Sequence, residues 1–221
     1  MTSGKAFSPA FFVESVAATI PAVCIGTKFV LDASAVDRIR ECLAKGGLVV
    51  HPTDTVYGLA ADPFQIQAVD RVYAVKGRPR ELTLSMAVPE VADVFRYGIK
   101  SPLAENFCRK NLPGPYTVVL RAMPSAPPAL VNPQSLIGLR VPDHPIPRLI
   151  AKIYGPITTT SANRHGQPSP TSCEDAKAQL GDGVDLYVDA GPTPLGSESS
   201  VVDLSGPRAK VLRQGAVRTK A

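Results

Sequence analysis

The chain has 221 residues, and a hydrophobic content of 44% is enough for the core of one large α/β domain or of two small ones, which excludes a wholly disordered protein. Lys and Arg outnumber Asp and Glu by 24 to 19, and the resulting charge of +5 suits anionic small molecules and nucleic acids equally. There is no apolar run of membrane length, and four scattered cysteines without metal spacing predict reduced thiols in a cytoplasmic protein with no membrane partner.

Apolar periodicity predicts helices and strands that alternate along the chain. Predicted helices run from Ser34 to the Gly46-Gly47 pair, over 65–76, 91–95 and 103–107, from Pro147 onward, and over 174–180. Predicted strands cover 27–31, 48–50, 82–88, 116–120, 136–141, 157–159, 186–189, 200–204 and 210–213. Ser34-x-x-Asp37 resembles a capping box, and four prolines within 123–133 predict an irregular loop. This order predicts one mixed α/β sheet layered with helices.

The segment from His51 to Gly58 follows a short apolar strand and offers two hydroxyls, a carboxylate and a phenol. Ligands of α/β proteins commonly bind where strands end, so this segment is a candidate binding loop. A tight turn in which Asp54 bonds its own backbone explains the same residues without a ligand.

Lys76-Gly77-Arg78-Pro79 closes a predicted helix. Cations complement the negative end of the helix dipole, so a cationic cap is one explanation. The other is that Gly77 and Pro79 turn the chain and let a guanidinium and an ammonium grip phosphate oxygens.

Arg140 stands between Leu139 and Val141 in an apolar strand. Arginine is rarely buried without an anionic partner, which could be an internal carboxylate or that of a substrate. The nearest internal candidate is Asp143, in a predicted surface turn.

Hydroxyls follow another predicted strand in the run from Thr158 to Asn163, and Ser169 comes shortly after it. Hydroxyls and backbone amides of this kind can surround an anion without adding charge. Gly196–Ser200 and Arg213–Gly215 repeat the theme, although each segment is also compatible with an ordinary turn or cap.

Several enzyme classes lack their signatures here. The sequence contains no Walker-type loop, no Gly-x-Gly-x-x-Gly, no Gly-x-Ser-x-Gly and no His-Glu-x-x-His. His51, His144 and His165 are too scattered to predict a metal centre, so no side chain is assigned as a metal ligand.

Six motifs, in order, resemble the YrdC domain family of threonylcarbamoyl-AMP synthases over about residues 36–215. They are Pro52–Gly58, Lys76–Pro79, Leu112–Pro115, Arg140–Pro145, Ser161–Asn163 and Gly196–Asp203. The resemblance implies a twisted mixed β-sheet with flanking helices and a concave, basic cavity. It places a catalytic domain at 28–217, after an N-terminal extension over 1–27 and before a tail over 218–221, in the family's short, single-domain form.

The same resemblance implies an enzyme that makes threonylcarbamoyl-AMP from L-threonine, bicarbonate and ATP and releases pyrophosphate. The product would serve threonylcarbamoyladenosine formation in tRNA, through a tRNA-modifying transferase as partner. Mg²⁺ would accompany ATP and be held mainly by its phosphates.

Roles for individual residues also follow from the resemblance alone. Lys76 and Arg78 are the implied catalytic residues, facing the phosphates and the carbamate. The implied threonine-binding residues are Thr55, Tyr57, Arg140, Thr160 and Ser199. Further ATP-binding residues are Thr117, Ser161, Asn163, Ser169 and Arg213.

Two departures from the family pattern stand out, Leu82-Thr83-Leu84 after the Lys-x-Arg motif and Ser200 where threonine is usual. Two other functions stay open. The basic face and the cationic C-terminal segment could bind tRNA or double-stranded RNA, and a similar domain transfers carbamoyl groups in hydrogenase maturation. Relatives of the second kind carry zinc-type cysteines, which this chain lacks.

Overall fold

The computed structural model describes residues 18–21, 23–25 and 28–218. The strands are β1 (Ala18–Pro21), β2 (Val23–Ile25), β3 (Lys28–Val30), β4 (Val49–His51), β5 (Gly58–Ala60), β6 (Ser85–Ala87), β7 (Tyr116–Arg121), β8 (Leu136–Arg140), β9 (Ile157–Ser161), β10 (Leu186–Asp189), β11 (Ser200–Asp203) and β12 (Lys210–Arg213). The helices are α1 (Ala33–Ala44), α2 (Ile66–Lys76), α3 (Val91–Tyr97), α4 (Pro102–Asn111), α5 (Pro145–Ile153) and α6 (Cys173–Leu180).

Ten of these strands form one mixed sheet in the order β1-β10-β4-β5-β9-β6-β8-β7-β11-β12. Parallel pairs join β1 to β10, β10 to β4, β6 to β8 and β7 to β11, and the other neighbours are antiparallel. Strands β2 and β3 make a separate antiparallel pair. The predicted fold class, a mixed α/β sheet with flanking helices, is confirmed.

Helices cover both faces of the sheet because its buried strands carry apolar side chains in both directions. On one face, α2, α4 and α6 pack over a large core that contains Leu59, Met86 and Leu139. On the other, α1 and α5 pack over a smaller core around Ala87 and Ile157.

Helix α1 shows where a local signal was misleading. The predicted capping box at Ser34 is wrong, because the helix begins at Ala33 and the side chain of Asp32 accepts a hydrogen bond from the Ala35 amide at 2.7 Å. An Asp directly before the first turn is an equally good cap, and it lies two residues closer to the strand.

Other boundaries differ by a few residues. Strand β6 spans only 85–87, because Leu82 lies at the surface and 79–82 form a turn. Helix α5 starts at Pro145, and a short 3-10 helix, Pro128–Leu130, interrupts the predicted loop. Strands β1, β2 and β5 were not predicted, and residue 27 of the first predicted strand lies outside the described residues.

None of the helices in the described part of the chain is long and apolar enough to cross a membrane. Cys42, Cys108 and Cys173 are free thiols, as the sequence predicted for them, while Cys24 belongs to the stretch whose side chains are not described.

Candidate active site

A cavity of about 340 Å³ opens on the sheet face that α1 and α5 cover only in part. Its floor is a row of four residues that oppose one another across the strands: Thr159, Ser85, Gly138 and Val119. Side chains alternate along a strand, so Ser85 and Thr159 share a face with the buried Ala87 and Ile157. The cavity is therefore the uncovered continuation of the smaller core.

Gly138 leaves space above the floor of the cavity because it has no side chain. A Cβ atom on Gly138 would lie 2.5 Å from the Ser85 hydroxyl oxygen and 3.5 Å from a methyl carbon of Thr117. The middle of the sheet is thus open to a ligand at the point where four strands meet.

The predicted site residues divide into two groups. Nine of them line the cavity: Thr55, Tyr57, Arg78, Thr117, Arg140, Thr160, Ser161, Ser199 and Arg213. Three do not, namely Lys76, Asn163 and Ser169. Three arginines against one glutamate on the wall make the cavity basic, as expected from the resemblance.

Arg140 has an internal partner, and it is not Asp143. Its guanidinium lies 2.5 Å from the Asp54 carboxylate and also donates to the Thr55 hydroxyl at 2.9 Å. Asp143 is exposed, so the candidate nearest in sequence was wrong. Burial lowers the pKa of the Arg140 guanidinium and the charge of Asp54 opposes this shift, which leaves a cation beside a hydroxyl at the cavity wall.

Tyr57 is fully buried, and its phenol points to the 189–191 turn. The hydroxyl donates to the Gly191 carbonyl at 2.7 Å and accepts from the Ala190 amide at 3.3 Å. Burial raises the pKa of the Tyr57 phenol. Tyr57 therefore ties the binding loop to β10 by its hydroxyl.

Lys76 lies beneath the cavity and is almost fully buried. Its ammonium donates to the backbone carbonyls of Ser161 and Asn163, the second at 2.6 Å. Burial, with a smaller effect of the Arg78 charge, lowers its pKa to about 8 while Glu198 opposes the shift. Lys76 thus holds the end of β9 and adds positive charge from below.

Arg78 lines the cavity because Gly77, directly before it, ends the helix and turns the chain. Helix α2 ends at Gly77 in the left-handed conformation, with φ 59°, which glycine adopts without strain. Arg78 then leaves the helix direction, and its Nε donates to the Leu82 carbonyl at 2.8 Å. Burial lowers the pKa of its guanidinium, so this cation is held in a partly desolvated position.

The hydroxyl run is part of a strand rather than a loop after it, since β9 extends to Ser161. Thr159 and Ser161 line the cavity. Thr158 points the other way, where its hydroxyl accepts from the Ala61 amide at 2.9 Å and donates to the Leu59 carbonyl. Period-2 alternation explains why Thr158 turns away from the cavity, whereas Thr160, next to the end of β9, still lines it.

Thr117, Ser199 and Arg213 come from three elements and meet at one wall. The hydroxyls of Thr117 and Ser199 are 2.9 Å apart. The Arg213 guanidinium donates to the Ser199 carbonyl at 2.9 Å from one terminal nitrogen and at 3.2 Å from Nε. Donors for phosphate or carboxylate oxygens are thereby gathered in one place.

Glu198 is a cavity residue that the sequence did not assign. It forms an ion pair with Arg213 and accepts a hydrogen bond from Ser169 at 2.6 Å. The signal for it was weak, a single acidic residue within the Gly196–Ser200 motif.

The donor set around the cavity suits a Mg²⁺ ion only if the nucleotide supplies most of its ligands. Glu198 is the one carboxylate among the described residues that line the cavity. Within 18–21, 23–25 and 28–218 no group of three or more His, Cys, Asp or Glu residues could hold a metal. Mg²⁺ commonly binds through one or two carboxylates plus substrate phosphates, so these residues fit that mode.

Comparison with known proteins places the chain in a family. The family model Sua5_yciO_yrdC, described as "Telomere recombination", matches residues 41–215. A Mycobacterium tuberculosis (strain H37Rv) protein is 38% identical over 188 residues, which cover 85% of each chain. The chain belongs to the Sua5/YciO/YrdC family, as its motifs predicted.

Two further relatives carry the name of an enzyme, threonylcarbamoyl-AMP synthase. A Bos taurus protein named threonylcarbamoyl-AMP synthase is 36% identical, covering 81% of this chain and 68% of its own. A Bacillus subtilis protein of the same name is 32% identical over 79% of this chain, which spans only about half (51%) of that longer relative.

Solved structures agree on the fold. The crystal structure of Pyrococcus abyssi Sua5 complexed with L-threonine superimposes with a TM-score of 0.82 at 28% identity, covering 90% of this chain and 57% of that one. Escherichia coli YciO, at 24% identity, has a TM-score of 0.80 with 89% and 94% covered.

Proposed function

We propose that this protein makes threonylcarbamoyl-AMP from L-threonine, bicarbonate and ATP and releases pyrophosphate, for threonylcarbamoyladenosine formation in tRNA. The observation that carries the proposal is that Arg78, Arg140 and Arg213 face neutral hydroxyl donors within one shared cavity. Bicarbonate, the triphosphate and the threonine carboxylate are anionic, and such a wall attracts them. Relatives named for this activity, and a structural neighbour crystallised with L-threonine, support it.

The first step joins threonine to bicarbonate. The unprotonated amine attacks the bicarbonate carbon, and loss of water leaves threonine N-carboxylate. Arg140 would hold the threonine carboxylate, because its guanidinium is already fixed by Asp54 and Thr55 and needs no reorganisation. Thr160 and Ser199 would supply hydroxyls to the amino acid, and Tyr57 would fix the loop around it.

The second step is an in-line attack. A carbamate oxygen attacks the α-phosphorus of ATP, the bond to the β-phosphate oxygen breaks, and pyrophosphate leaves. Arg78 and Arg213 would offset the charge on the phosphate oxygens, and Lys76 would add charge from below while it holds the end of β9. No side chain becomes covalent.

Neutral donors would complete the nucleotide site. Thr117 and Ser161 line the cavity and would donate to the nucleotide. Asn163 and Ser169 would act indirectly, Asn163 by accepting a hydrogen bond from Lys76 and Ser169 by donating one to Glu198. Mg²⁺ would neutralise part of the triphosphate charge. A transferase that consumes the adenylate would be the partner in tRNA modification.

The test is pyrophosphate release together with mass spectrometry of the product from ATP, bicarbonate and single amino acids. Wild-type protein should give the adenylate with threonine, and Arg78→Ala should lower the rate at least a hundredfold, on the scale of lost charge stabilisation of ~3 kcal/mol. Arg80→Ala is the matched control, because Arg80 lies two residues away, is exposed and pairs with Asp70 outside the cavity.

Two outcomes would contradict the proposal. One is that the wild-type protein forms no threonylcarbamoyl-AMP when it is supplied with threonine, bicarbonate and ATP. The other is tRNA binding with a steep salt dependence and no pyrophosphate release, which would favour an RNA-binding module.

A further inference from the structure

Glu198 connects separate segments of the site. Its carboxylate pairs with Arg213 at the end of β12 and accepts a hydrogen bond from Ser169, in the loop after β9, at 2.6 Å. Its backbone carbonyl accepts from the Ala216 amide at 2.7 Å. One residue thus joins the loop before β11, the loop after β9 and the C-terminal segment.

Arg213 donates to the Glu198 carboxylate from one of its terminal nitrogens. Within the described part of the chain, its other hydrogen bonds go to the carbonyl and the hydroxyl of Ser199. A guanidinium has five N–H groups, and these bonds use no more than four. At least one N–H can therefore donate to a ligand oxygen while Glu198 fixes the plane of the group.

The charge of Glu198 is maintained by its surroundings. Burial raises the pKa of this carboxyl, but hydrogen bonds from Ser169 and Ser161 and the charges of Arg213 and Lys76 outweigh burial and lower it below the ordinary value. An ionised carboxylate is therefore present on a wall whose other charged residues, Arg78, Arg140 and Arg213, are all cations.

Such a carboxylate is costly for a site that binds phosphate, because it repels the triphosphate. Its presence is understandable if the gain from orienting Arg213 exceeds that repulsion. Charge-assisted hydrogen bonds to a fixed guanidinium are stronger and more directional than those to a mobile one.

We propose that Glu198 is the positioning residue for Arg213 and thereby a determinant of ATP binding. This inference rests on the proposed function, since it takes ATP to be the ligand of Arg213. In this proposal Glu198 acts on ATP binding through Arg213, and the double-mutant cycle below separates this route from a direct contact of Glu198 with the nucleotide or its metal.

The experiment is a double-mutant cycle on ATP affinity, measured by calorimetry without threonine. Glu198→Gln keeps the shape and the hydrogen bond from Ser169 and removes the charge. It should weaken ATP binding roughly tenfold. This is the scale expected when one hydrogen bond between charged groups is lost, here the bond from Arg213 to a phosphate oxygen of ATP. In an Arg213→Gln background the same change should have an effect of less than twofold.

Steady-state kinetics supply a second readout. Glu198→Gln should raise the KM for ATP and leave the KM for threonine within about twofold, a split that general loss of structure would not produce. Ser197→Ala is the matched control, because this neighbour in the same loop is exposed. Ser169→Ala should weaken ATP binding in the same direction but less, and it tests the proposal if Glu198→Gln does not fold.

Unchanged or tighter ATP binding in Glu198→Gln would overturn the proposal, since it would mean that repulsion outweighs positioning. Additive effects of the two substitutions would also overturn it. The binding cycle is independent of product formation, so a wild-type protein that binds ATP but makes no adenylate would refute the proposed function and leave the cycle interpretable.

Discussion

The carboxylate of Asp54 lies 2.5 Å from the guanidinium of Arg140, and the side chains are only 6% and 7% exposed. The pair joins the loop after β4 to the end of β8, across 86 positions of sequence. A second oxygen of Asp54 and the Nε of Arg140 have no hydrogen-bond partner within the described residues. The pair therefore depends on one close contact and the Thr55 hydroxyl.

Asp54→Asn should destabilise the protein strongly. Removing one member of a buried ion pair leaves the other charge uncompensated, at a typical cost of about 3 to 5 kcal/mol. Urea denaturation would show this as a lower midpoint with an unchanged slope.

An exposed ion pair provides the control for that measurement. Glu41 and Lys45 pair on the surface of α1 with side chains that are 69% and 77% exposed. Glu41→Gln should change the free energy of unfolding by less than about 0.5 kcal/mol. A comparable loss in both variants would contradict the role assigned to the buried pair.

The same pair shows what a sequence can and cannot predict about this site. The apolar neighbours of Arg140 indicated a buried cation, because burial can be inferred from local pattern. Its partner could not be identified in that way, since Asp54 is brought to Arg140 by the strand order β4-β5-β9-β6-β8, which is not visible in the sequence. The nearest carboxylate in sequence, Asp143, was the wrong choice.

The fold was largely predictable from periodicity, and the exceptions are short or hidden. Strand β5 has three residues, all buried, and it begins at Gly58, the last residue of the Pro52–Gly58 motif. Its sequence therefore shows no alternation of apolar and polar residues. Glu198 escaped assignment for a related reason, because its meaning depends on Arg213 and Ser169 coming from other elements.

Acid sensitivity should come in part from His51. This ring is fully buried at the end of β4, its Nδ1 lies 3.1 Å from the Pro52 carbonyl, and its Nε2 has no hydrogen-bond partner within the described residues. Burial lowers the pKa of His51 from 6.5 to about 4, with smaller effects of the His144 and Arg140 charges. The folded protein therefore keeps the ring neutral under conditions in which the unfolded chain would protonate it.

The sign of the pH effect follows from proton uptake. Below pH 6.5 the unfolded state binds the proton more readily, so the contribution of His51 is complete above that value and is lost as the pH falls toward 4. The loss reaches about 3 kcal/mol at pH 4.

His51→Gln should flatten the decline of unfolding free energy between pH 6.5 and 4, measured by urea denaturation. His165→Gln, at an exposed position, should leave the decline unchanged, and equal slopes in all three proteins would contradict the assignment.

Gly215 controls how closely the C-terminal segment approaches the 198–200 loop. Its amide donates to the Ser200 hydroxyl at 2.9 Å, and an added Cβ would lie 2.2 Å from the Glu198 carbonyl oxygen and 2.4 Å from the Ser199 carbonyl carbon. Those atoms are backbone and cannot move aside. Gly215→Ala must therefore push the segment away from the loop.

The expected result is weaker nucleotide binding with moderate loss of stability. Arg213 lies two residues before Gly215, so a displaced segment carries the guanidinium away from Ser199 and Glu198. The KM for ATP should rise at least several-fold, and the free energy of unfolding should fall by about 1 to 3 kcal/mol, the usual cost of overpacking. Gly206→Ala is the matched control, because an added Cβ there meets no atom within 4 Å. A normal KM in Gly215→Ala would show that the fit of this segment against the loop does not govern Arg213.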